Sequence, residues 1–213
     1  MSALLGVLGA ILTPRILEWR NRTRIKKALL WELENLLPQL DTIHFQLRDA
    51  IYELTLGVWD QTVPMNLSNP VFINSYKDVC SHFNAAQAFS FGLIHGTVER
   101  INRLNERISD LCDEGAKKPS GELVRTALQK AAAQYENVRT LEWHVRYHLK
   151  YSDNPELIEQ TNDARRQFVA AKNQIKDDLH ALIAKANEAD SHEFRKKHVT
   201  RLTIEVDPPT DHE

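Results

Sequence analysis

Apolar residues recur at spacings of three and four along four long stretches of this chain. The first seam is Ile25, Leu29, Leu33, Leu36, Leu40, Ile43, Leu47, Ile51 and Leu54. The second takes in Tyr76, Cys80 and Phe83, then Phe91, Ile94, Val98, Ile101, Leu104, Ile108 and Leu111. The third is Val124, Leu128, Ala131, Tyr135, Val138, Leu141, Val145 and Leu149, and the fourth runs from Leu157 through Phe168, Ile175 and Leu182 to Ala186. Helices that bury one stripe show this spacing, with charged bands on their outer faces. It predicts helices over about 14–58, 71–114, 121–151 and 155–191.

The breaks between seams fit. Thr13-Pro14 and Ser152-Asp153-Asn154-Pro155 offer a cap followed by proline at the first helical position. Gly115 to Gly121 reads as a tight connection, and Gly57 to Pro70 as a long loop. Pro38 lies inside the first seam and predicts a kink, because proline removes one helical hydrogen bond and crowds the preceding turn. Short connections between long helices favour antiparallel neighbours. The expected fold is all-α: an elongated antiparallel four-helix bundle over residues 20–198, preceded by a short apolar N-terminal helix. Arg201-Leu-Thr-Ile-Glu-Val206 alternates apolar and polar residues as a strand does, so 199–213 reads as an extended or disordered tail.

The N-terminus changes the picture most. Residues 1–13 carry no charge, whereas residues 14–27 carry six positives against one negative, Glu18. With a net charge of −2, residues 28–213 therefore hold −7. So acidic a body makes a poor general nucleic-acid binder, and no specific nucleic acid is expected as a partner. An apolar end beside the basic residues Arg15, Arg20, Arg22, Arg24, Lys26 and Lys27 predicts a membrane anchor over 1–19, its collar reaching to 27 on the cytosolic side. The apolar stretch approaches spanning length only by running past Pro14 and Arg15, so insertion without crossing is the alternative. Ser2, Gly6, Gly9 and Ala10 recur at a spacing that lets two helices approach closely in lipid, which predicts self-association there. The expected partners are membrane lipid, a second copy and a further protein, at a bacterial-type cytoplasmic membrane with the body in the cytosol. Burial of the apolar end by a partner subunit is the soluble alternative.

Candidate chemistry is sparse. No glycine-rich phosphate loop or nucleophile elbow is present, and no cofactor is expected. His144 and His148 share a helix face, but Val145 stands where a zincin has its glutamate, so no metal site is expected. Glu32 and Glu34 read as solvated helix faces. The loop residues Trp59, Met65 and Phe72 make residues 57–72 unusually apolar, which predicts either a flap packed on the bundle end or a partner-binding loop. Cys80 and Cys112, expected on one helix about 48 Å apart, read as free thiols in a reducing compartment. Arg139 and His144, separated by four residues, resemble the Arg-x4–6-His spacing of HEPN ribonucleases, which are also all-helical. The likeness covers six residues, and Thr140 stands where that family carries Asn, Asp or His. It implies a ribonuclease using Arg139 and His144, as an alternative to the leading expectation of a non-enzymatic, membrane-anchored scaffold.

Overall fold

A computed structural model describes the backbone of residues 2–59, 64–156 and 162–188, and the side chains of 15–59, 64–156 and 163–187. The described residues form an all-helical bundle without strands. Its elements are α1 (Ser2–Thr55), α2 (Pro70–Ser75), α3 (Ala85–Lys117), α4 (Gly121–Lys150) and α5 (Asn162–Glu188), with single 3₁₀ turns at Tyr76–Asp78 and Cys80–His82. The expected strand at 201–206 lies outside the described residues.

The seams become the core. Leu29, Leu33, Leu36, Leu40, Ile43, Leu47 and Ile51 of α1 are fully buried, as are Ile94, Val98, Ile101 and Ile108 of α3 and Val138, Leu141 and Val145 of α4. Each such side chain contributes about 1.5–3 kcal/mol of burial. α4 packs against α1, α3 and α5, and α5 packs also against α1. Ser120 caps α4 by accepting from the Leu123 N–H at 3.1 Å.

Three boundaries differ from expectation. The short apolar helix is not separate: α1 runs unbroken from Ser2 through Pro14 and Pro38. Proline removes only its own N–H bond and already has helical φ, so a long run of good helix formers carries through it. The expected helix over 71–114 begins instead at Ala85. Asn84 and Gln87 form a reciprocal capping box, Asn84 accepting from the Gln87 N–H at 2.8 Å and donating its own N–H to the Gln87 side chain at 3.2 Å. The expected helix over 155–191 does not include Pro155 and Glu156, which lie outside any helix, and α5 is described from Asn162.

The described residues 56–59 and 64–84 therefore form a return segment. It opens where Gly57 adopts φ 69° and ends α1, the Val58 N–H reaching back to the Glu53 carbonyl and the Gly57 N–H to that of Leu54. The segment then runs back along the bundle. Along α1 it meets Gln46, Gln39 and Glu32 in turn, through the N–H groups of Met65, Ser68 and Val71. Along α3 it meets Asn105, Asn102 and His95 through Met65, Leu67 and Asn69. Both helices are crossed in descending order, so α1 and α3 run parallel. α4 is antiparallel to α3, since His148 bonds Ser90 at 2.8 Å and Gln134 bonds Asn105 at 2.6 Å. α5 is antiparallel to α4 in turn. The antiparallel expectation holds for α3–α4 and α4–α5, and the first pair departs from it because the connection spans the length of the bundle. Cys80 and Cys112 accordingly lie on different elements.

Candidate functional site

The N-terminal arm of α1 stands clear of the bundle. Every residue from Arg15 to Asn21 is exposed, which covers nearly two helical turns and hence all sides. Ile16, Leu17 and Trp19 are 53, 60 and 66% accessible. Local bonds stiffen the exposed stretch: Glu18 pairs with Arg22, the Thr23 hydroxyl donates to the Trp19 carbonyl at 3.0 Å, and Arg24 donates to Asn21 at 3.1 Å. At about 100° per residue, Arg15, Arg22 and Lys26 fall on one side, Arg20 and Lys27 about a third of a turn away, and Arg24 opposite. The positive charge thus covers a little over half of the circumference, and Glu18 lies on the remaining arc.

One collar residue has a second task. Lys26 donates to the His82 carbonyl at 2.7 Å and lies over the Phe83 ring at 4.8 Å, so it fastens the end of the return segment. Ser2, Gly6, Gly9 and Ala10 belong to the helical backbone of α1, but their side chains are outside the described residues. Among the described residues, no helix is long and apolar enough to cross a membrane.

The loop residues divide. Trp59 lies half-buried against the core, its ring over Gly115 so closely that a β-carbon there would overlap it. Phe72 stacks on His95 with centroids 3.7 Å apart and on Tyr76 at 4.4 Å. Only Met65 is exposed, and its backbone is fixed on both sides. The loop is packed along the bundle between α1 and α3, not folded over its end.

The fasteners of this segment are polar residues on helical faces. Glu32 is buried, and its two carboxylate oxygens accept from the Val71 N–H at 2.5 Å and the Phe72 N–H at 2.9 Å. Burial raises its pKa, the two backbone bonds opposing part of that effect. The reading of Glu32 as a solvated face is corrected by these bonds; Glu34 is exposed as expected. Asn102 donates to and accepts from Leu67, Asn105 donates to the Met65 carbonyl, and Gln134 ties Asn105 to the Ile101 carbonyl. Composition gives no sign of this role, because the bonded backbone lies 35 to 40 residues away.

Arg139 and His144 are not brought together. Five residues apart on α4, they point about 140° from one another. Arg139 pairs with Glu142, which Arg146 also binds at 2.9 Å. His144 packs with Phe168 of α5 at 5.2 Å and beside Trp143. Its pKa falls to about 4 through burial, so the ring is neutral near pH 7. His95 and His148 are buried within the core, and burial lowers them to about 3 and about 4. No cluster of three or more potential metal ligands occurs among the described residues.

No protein-family model, curated protein or solved structure matches the chain. The functional reading rests on its own geometry.

Proposed function

We infer that this protein is a non-enzymatic helical scaffold attached to the cytoplasmic membrane by its N-terminal arm, its bundle in the cytosol and acting through protein–protein contacts. The observation that carries this reading is the arm itself: α1 continues beyond the core with every residue from Arg15 to Asn21 exposed. Residues 2–21 of a continuous helix extend about 30 Å. No charge occurs before Arg15, so the outer part of the arm has no polar face of the kind that an in-plane amphipathic helix needs. A collar that spans more than half of the circumference, behind an uncharged stretch, suits a helix entering lipid end-on, with Arg15, Arg20 and Lys27 at the headgroups and Trp19 among them. Trp31 and Phe45, both about 60% accessible and two heptads apart on α1, offer a surface to a second copy or another protein.

The test is flotation of the full chain with lipid vesicles, beside a chain that starts at Trp19. The full chain is expected to float and the shortened one to stay behind. If the full chain stays with the soluble protein, the membrane reading fails, and burial of the arm by a partner subunit takes its place. An Arg139→Ala variant is expected to retain in vivo function; loss of function with fold intact favours the ribonuclease alternative.

A further inference from the structure

A cleft of about 230 Å³ opens where α3, α4 and α5 meet. Phe89 and Leu93 come from α3, Trp143 and His144 from α4, and Arg165 and Phe168 from α5. Its walls are mostly ring faces: Trp143 and Phe168 lie 5.0 Å apart at 54°, and His144 and Phe168 5.2 Å apart at 34°. Phe89 remains 46% accessible at the mouth. Arg165 is exposed there, and no carboxylate is among the lining residues. The neighbouring Asp163 is held by Arg166 at 2.5 Å. His144 lines the cleft with its ring, and its Nδ1 is buried without a hydrogen-bond partner among the described residues.

We propose that this cleft binds a small planar aromatic carboxylate, its ring laid on the faces that Trp143 and Phe168 present to the cleft and its carboxylate on Arg165. The volume matches one or two fused rings, below the range of drug-sized pockets. Aromatic walls favour a flat π-system over a flexible alkyl chain, since offset and edge-on ring contacts add to the area buried. The neutral His144 ring leaves Arg165 as the charge that selects an anion. The site is independent of the arm and of the membrane reading.

The probe is 1-naphthoate, titrated into the full chain while the indole N–H resonance of Trp143 is followed. A saturable shift is expected, and the uncharged 1-naphthalenemethanol should bind about tenfold more weakly, the size of one charge-assisted hydrogen bond. Arg165→Gln, on an exposed side chain, should bring naphthoate down to the affinity of the alcohol and leave the alcohol unchanged. Phe168→Ala should weaken both, with circular dichroism confirming an intact fold. Absence of saturation, equal binding of acid and alcohol, or an Arg165→Gln variant with undiminished naphthoate affinity overturns the proposal. Octanoate binding as tightly as naphthoate overturns its aromatic part.

Discussion

His95 and His148 make the stability of this bundle sensitive to acid. Both are buried beside Phe91, whose ring lies 6.2 Å from His95 and 4.4 Å from His148. Asn69 donates to His95 Nδ1 at 3.0 Å, which puts the ring proton on Nε2. A second proton on Nδ1 would face that donor. Folded-state pKa values of about 3 and about 4 compare with 6.5 for an unhindered ring. Because these pKa values are depressed, the unfolded chain takes up two protons that the folded chain refuses as pH falls below 6.5. The stability is whole above pH 6.5 and declines toward pH 4. Two protons give a limiting slope of about 3 kcal/mol per pH unit, which integrates to about 3 kcal/mol between pH 6.5 and 5. That is a large part of the 5–15 kcal/mol by which domains are stable. Urea unfolding at pH 7, 6 and 5 measures it. The double variant His95→Gln, His148→Gln should be less stable at pH 7 but lose about two protons' worth of the slope, His144 keeping its own share. A double variant whose stability falls as steeply as the parent's refutes the reasoning.

Other substitutions test the architecture. Gly115→Ala should displace the Trp59 ring and cost about 1–3 kcal/mol, seen as a lower urea midpoint and a shifted tryptophan emission. Gly57→Ala should cost about 1–2 kcal/mol by forcing a β-carbon into the left-handed region, measured in the same way. Asn84→Ala should cost about 1 kcal/mol and fray the first turn of α3, read by hydrogen exchange at Gln87 and Ala88.

The seams were legible because a buried stripe needs only local spacing, and Leu29 through Ile51 and Ile94 through Ile108 bury as that spacing demands. The start of α3 was legible too, but in a weaker signal. Asn84 and Gln87 spell a capping box, whereas Tyr76, Cys80 and Phe83 imitate helical spacing while lying in 3₁₀ turns and a connecting stretch. The return segment escaped the pattern for a physical reason. It is held by Glu32, Asn102 and Asn105, which look like solvated residues until the backbone they bind is brought from a distance. At the N-terminus, composition marked the apolar end and the basic collar. The exposure of Arg15 to Asn21 on a projecting helix, and the diversion of Lys26 to His82, required the packed chain. Arg139 and His144 show the converse: a spacing in sequence that the turn of α4 separates.

The return segment also bears on the order of folding. Its bonds join Leu67 to Asn102 and Val71 to Glu32, contacts 35 and 39 residues apart in the chain. The full set forms only once α1 and α3 flank the segment, so it seats late, by the entropy of closing long loops. The same bonds make it a cooperative unit of the native state. The amides of Leu67, Val71 and Phe72 are expected to exchange with solvent together, ahead of the core of α4, as one hinged strip lifting from its groove.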